Sequence, residues 1–314
     1  LHPDPDAVLV VGLGVGQTAS RFLMHDVERL DCVDIEPTIF PFVRRNFESA
    51  WMDDPRVDLV PDDGRTFVAH TSRTYDLISI EVGQVFRPGV DAFYTREFYA
   101  EAAERLEPGG LVAQFVPLPF LGETELRRIV ATFLDAFPDA VLWYNLNELL
   151  LIGGRKGVPT LGAERLADLA ADAGLQADLA WSHWGGTDEH LRRPAALLGG
   201  FLSGGPDLHR LAADAELLVD DVPDLAYATM GADANAASET PLVAVLRDHL
   251  SDLSTALAAD LPERELLIAT QVREGNLRDL LAGAELRRAR GEMAAVGPNE
   301  SLRRIRSALE THPG

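Results

Sequence analysis

The chain has 314 residues, with 28 basic and 50 acidic side chains, a formal net charge of −22, 46% hydrophobic residues and 25% charged residues. This composition excludes wholesale disorder and supplies enough chain to bury a core. The charge argues against partners whose phosphates must be neutralised by Lys and Arg, so neither nucleic acid nor direct contact with an anionic membrane is expected. Cys32 is the only cysteine, which leaves no disulfide framework and no cysteine-based zinc site. No apolar run reaches the ~18 residues of a membrane-spanning helix. The opening LHPDPD has neither a Met nor a signal-peptide pattern. The expectation is a cytoplasmic protein, or the soluble piece of a longer, membrane-anchored chain. Residues 1–155 carry 13 basic and 25 acidic groups, and residues 156–314 carry 15 and 25, so the acidity is an even, solvated background.

In chain order, AVLVVG at residues 7–12 reads as a short buried strand ending in glycine, followed by a helix over 17–25. LDCVDI (30–35) is a second strand, and a helix follows Pro37 with Phe40, Val43 and Phe47 at helical spacing. Residues 57–60 and 75–81 are the third and fourth strands. A helix over 95–106 is stopped by Pro108-Gly109-Gly110, and residues 111–116 form the fifth strand. Residues 123–137 are an amphipathic helix, and 140–144 with 148–153 form a hairpin. Five βα units closed by an antiparallel pair predict a doubly wound, seven-stranded α/β sheet of the S-adenosylmethionine-methyltransferase-like (Rossmann-like) type. Past residue 156 the alternation stops. Residues 157–232 read as an accessory segment of short helices and Gly-rich turns that packs on the first part. Residues 233–314 read as a helical C-terminal region, with helices at 241–258, 263–272, 277–293 and 300–311.

Three places can carry chemistry. Gly12, Gly14 and Gly16 follow the first strand and precede a helix, so the backbone can turn tightly and approach a ligand. Asp34 ends the second strand 18 residues after Gly16, where an acidic side chain can accept hydrogen bonds from both hydroxyls of a ribose. The turn Asp62-Asp63-Gly64-Arg65 either faces an adenine ring or simply closes the turn and caps a helix. Glu81, at the carboxyl end of the fourth strand, is either an exposed acid or a general base for an amine nucleophile. Trp181, His183, Trp184 and His190, with Asp188 and Glu189 nearby, fit no closed metal site, and no metal is expected.

The succession GLGVGQT, VDIEP, DPRVDLVPDDGR, YDLISIE and AFYTREFYAEAAERLEPGGLVAQ resembles the spermidine/spermine synthases, most of all the bacterial synthase-like domains fused to membrane helices. The resemblance covers roughly residues 7–153, and residues 93–99 (FYTREFY) are its most diagnostic part. Asp220-Asp221-Val222-Pro223 is similar to a stretch of the fused forms and is expected near the rim of the site. The resemblance implies transfer of an aminopropyl or related alkyl group to an amine. The co-substrate would be S-adenosylmethionine or its decarboxylated form, with no metal. It places Gly12, Gly14, Gly16, Asp34, Asp63 and Gly64 at the nucleoside, Glu81 as the base, and Gln84 and Tyr94 at the amine. It is also compatible with a homodimer.

The departures from the family pattern are specific. Val15 stands where an Asp usually holds the donor's free amine, and Gln84 where a second Asp grips the acceptor. The loop before the last strand is reduced to Asn145-Leu146-Asn147, and the six residues before the first strand are too few for the N-terminal β-domain that covers the amine site in the family. A dication in a water-poor pocket needs paired carboxylates. Two other readings therefore stand beside aminopropyl transfer: an S-adenosylmethionine-dependent methyltransferase, and a non-catalytic nucleoside-binding or scaffold domain. An NAD-dependent enzyme is a weaker third.

Overall fold

The apolar runs that alternate with helical stretches form one sheet. In a computed structural model, residues 1–85, 87–118, 121–145, 148–179, 194–230, 239–256 and 260–296 are described. Strands β1 (Ala7–Val11), β2 (Arg29–Asp34), β3 (Val57–Pro61), β4 (Tyr75–Ile80) and β5 (Leu106–Pro117) pair in parallel. The hairpin β6 (Val141–Asn145) and β7 (Glu148–Gly154) adds antiparallel through β7 to β5. The sequence predicts seven strands, and among the described residues the sheet has eight, in the order β3-β2-β1-β4-β5-β7-β6-β8. The additional strand β8 (Phe201–Gly204) pairs with β6. It is four residues long between Gly199-Gly200 and Gly205, so its local sequence reads as a turn, and the edge of β6 makes it a strand.

Helices α1 (Gln17–Phe22) and α2 (Ile39–Asn46) cover one face of the sheet. Helices α3 (Gly64–His70), α4 (Arg96–Glu104) and α5 (Glu123–Ala136) cover the other. The strand period divides β1 between them: Val8 and Val10 pack with Ala19, Val43 and Cys32, while Leu9 and Val11 pack with Val68, Phe98 and Phe133. Three expectations shift. Helix α1 ends at Phe22, short of residue 25. Helix α3, read from the sequence only as a turn with a helix cap, is a real helix whose Thr66 N–H donates to the Asp63 side chain. Strand β5 begins at Leu106: Gly109, at φ +100°, lets the chain bulge between the pairs Tyr75–Leu106 and Leu77–Leu111 and then resume.

The second half supplies α6 (Ala163–Ala171), α7 (Ala173–Leu179), α8 (Pro194–Leu197), α9 (Gly205–Leu211), α10 (Asp224–Met230), α11 (Glu239–Asp248) and α12 (Glu263–Val296). Helix α11 stops ten residues before the predicted end at 258. The helices predicted at 263–272 and 277–293 are one helix of 34 residues that runs through Gly275. The predicted helix at 300–311 and the Trp181–His190 cluster lie outside the described residues. Leu208, Leu211, Leu242, Leu246, Leu277 and Leu280 enter the same core as Phe133 and Val112. Among the described residues, no helix is long and apolar enough to cross a membrane.

Candidate active site

Strand order reverses at β1, whose neighbours are β2 on one side and β4 on the other. Outside the carboxyl ends of these strands lies the crevice where ligands of open α/β sheets bind. The chain leaves β1 at Gly12, whose N–H donates to the Val33 carbonyl of β2 while the Glu81 N–H donates to the Val11 carbonyl. Gly12 has φ +88°, and a Cβ there would lie 3.2 Å from Val82, so the loop is pressed against the segment that carries Glu81. Gly16, at φ +81°, is covered by the Trp51 ring, whereas Gly14, at φ +53°, faces open space. The glycine loop is thus tight at both ends and free in the middle.

Asp34 locks this loop. Its Oδ2 accepts from the Leu13 N–H at 2.8 Å and its Oδ1 from the Glu36 N–H at 2.9 Å. Each oxygen keeps a second lone pair for a hydroxyl. Asp63 is the cap of α3, its Oδ1 accepting from the Thr66 N–H at 2.8 Å. Gly64 is buried against Val11 and Phe93, where a Cβ would stand 2.5 Å from the Val11 side chain. The glycine loop, Asp34 and the Asp63–Gly64 turn therefore line successive strand ends β1, β2 and β3.

Glu81 lies at the end of β4, half-buried, with its Oε1 accepting from the Ser79 hydroxyl at 2.6 Å. Ser79 and Glu81 share one face of the sheet with Ala113, Phe115 and Pro117 of β5, and Pro117 pairs with Glu148 of β7. Glu148 therefore stands on the same face as Glu81, across β5, and the Phe115 ring between them rests on Gly83. Burial, and then the neighbouring Glu81 charge, push the Glu148 carboxyl up to about 7. Among the described residues neither carboxylate has a basic ion-pair partner.

The two residues expected at the amine fall differently. Gln84 is exposed in the loop after Glu81. Tyr94, expected to touch the amine, is fully buried, and its hydroxyl lies 2.9 Å from the Val82 and Phe115 carbonyls, to which it donates. It staples the segment after β4 to β5 beneath the crevice and has no free edge toward a substrate. Its hydroxyl is pushed above its ordinary range first by that burial.

The spermine/spermidine synthase domain model matches residues 1–151. This segment belongs to the spermine/spermidine synthase family. The synthase domain is 32% identical over 144 residues to the polyamine aminopropyltransferase of Nitrosomonas europaea, covering 43% of each chain. It is 30% identical over 145 residues to that of Bacillus subtilis, covering 45% of this chain and 52% of the other. It is also 32% identical over 148 residues to putrescine N-methyltransferase 2 of Nicotiana attenuata, covering 44% and 38%. The chain spans about half or less of the length of these curated relatives.

Within the synthase domain, the glycine loop, Asp34, Asp63 and Glu81 are legible from the order of motifs. Ser79 and Glu148 are not. Ser79 has only its position two residues before Glu81, which puts both on one side of a strand. Glu148 has no local signal, because the antiparallel register of β7 alone carries it to Glu81.

Proposed function

We propose that the synthase domain binds an adenosylmethionine-type nucleoside and transfers an aminopropyl or related alkyl group from it to a small-molecule amine. The observation that carries this reading is Glu81 at the switch-point edge of β4, held by Ser79 and facing Glu148. Asp34 and the second lone pairs of its oxygens suit the ribose hydroxyls, the Asp63–Gly64 turn suits the adenine, and the open backbone at Gly14 suits the donor's chain. The donor's sulfonium supplies a good leaving group. As the amine nitrogen forms its bond to the carbon beside sulfur, the carbon–sulfur bond breaks, its electron pair stays on sulfur, and the amine proton passes to Glu81. The protein is left with alignment and one proton transfer to provide. Glu148 gives the acceptor's positive charge a second carboxylate where Gln84 gives none.

Methyl transfer from S-adenosylmethionine to an amine is the second reading. Val15, 37% exposed beside the glycine loop, favours it, because no carboxylate there selects a donor lacking its own carboxyl group. Calorimetry of the full chain with S-adenosylmethionine, its decarboxylated form, methylthioadenosine and NAD tests both readings. Binding of decarboxylated donor and methylthioadenosine supports alkyl transfer, and preference for S-adenosylmethionine supports methyl transfer. Binding of NAD alone overturns both. In an amine panel, Glu81→Gln is expected to lower turnover by about 10²–10⁴-fold, as loss of a general base does, and unchanged turnover removes Glu81 from the mechanism.

A further inference from the structure

Residues 216–222 of the second half form a strap that reaches the Asp63–Gly64 side of the crevice. The strap lies on α4 and α5: the Leu218 carbonyl accepts from the Arg96 N–H at 2.9 Å, and the Leu218 N–H donates to the Thr132 hydroxyl at 2.9 Å. The Asp220 N–H donates to Glu97 Oε2 at 3.2 Å. The Asp220 carboxylate then turns inward. Its Oδ1 accepts from the Thr95 hydroxyl at 2.6 Å and from Arg65 Nη1 at 2.7 Å, and its Oδ2 accepts from Arg65 Nη2. Burial pushes the Asp220 carboxyl up, but these bonds outweigh it and hold the group below its usual range.

Arg65 directly follows Gly64. Its Nη1 also donates to the Ala92 carbonyl at 2.9 Å, in the turn that carries Phe93 and Tyr94. Gly64 is clamped from inside by Val11 and Phe93, and Arg65 from outside by Asp220. A planar guanidinium gripped by both oxygens of one carboxylate has little rotational freedom, so the docked strap adds a hold on the α3 start beside the Asp63 cap and the packing of Gly64.

We propose that Asp220 is a positioning residue for the nucleoside site, acting through Arg65 on the Asp63–Gly64 turn, so that nucleoside binding and docking of the 216–222 strap stabilise one another. This rests on the reading that the turn faces the nucleoside. Because coupling between two sites is reciprocal, each event should be visible in the other.

The test uses the full chain and methylthioadenosine. Asp220→Asn is expected to weaken binding by about tenfold, within the ordinary range of coupling between sites. Arg65→Gln is expected to weaken it similarly, and the double variant no more than either single one. Asp220→Glu, which restores the charge, is expected to recover part of the loss, as a general loosening of the fold would not. In the unaltered chain, amide exchange over residues 218–222 is expected to slow when methylthioadenosine binds, a readout that needs no variant. If the unaltered chain binds methylthioadenosine, but Asp220→Asn binds it within twofold or exchange in the strap does not change, the coupling is overturned and the site reading stands. If the unaltered chain binds no adenosyl nucleoside, both fall.

Discussion

Burial, then the Glu81 charge, push the Glu148 carboxyl up to about 7, so below that pH the folded chain favours its protonated form where a carboxylate in solvent is already ionised. The sign of the consequence is fixed by linkage. Between about pH 4.5 and 7 the unfolded chain gives up this proton first, so Glu148 costs stability as pH rises, and the cost is complete above the folded value. A bound alkylammonium reverses the balance, since it favours the ionised carboxylate and stays charged itself throughout this range. Diamine affinity, measured by calorimetry with methylthioadenosine present, is therefore expected to rise from pH 6 to pH 8, while Glu148→Gln binds more weakly and loses the rise. A flat profile in the unaltered chain removes Glu148 from the amine site. At this scale the sequence announces Glu81, because a strand end can be read locally. It is silent on Glu148, whose meaning comes from pairing with Pro117 more than thirty residues away.

The glycine loop shows how much of an element depends on neighbours that are distant in sequence. Gly14 and Gly16 both have positive φ, which costs a residue with a side chain about 1–2 kcal/mol. At Gly14 that is the whole penalty, because nothing lies within 4 Å of a Cβ. At Gly16 a Cβ would stand 2.3 Å from Trp51, which adds about 1–3 kcal/mol of overpacking. Gly16→Ala is expected to unfold at clearly lower denaturant than Gly14→Ala, and equal midpoints would mean that Trp51 moves aside freely. The spacing of the glycines was legible, but the Trp51 lid was not, since it arrives from the turn before β3. The same distinction explains β8 and α3. Periodicity finds long amphipathic helices such as α5, but a four-residue strand is fixed by the edge it completes, and α3 by its Asp63 cap and the packing of Val68.

On the scale of the whole molecule, the change in sequence texture at residue 156 does not coincide with a break in the core. Leu208 of α9 is fully buried in the cluster that holds Phe133 of α5 and Val112 of β5, and β8 extends the sheet that carries the crevice. Side chains that share one close-packed interior lose contacts together, so the two halves should unfold as one cooperative unit. Leu208→Ala removes a buried Leu from that interior and is expected to cost about 2–5 kcal/mol. If the unit is shared, amides of β1 and β4 should exchange faster by the same free energy as those of β8 and α9, although Leu208 belongs to neither β1 nor β4. Hydrogen exchange read by mass spectrometry separates the outcomes. Acceleration confined to residues 201–211 would mean that the synthase domain keeps its own stability and the helical half only leans on it. Equal acceleration would mean that the crevice formed by the first half depends on core packing supplied by the second.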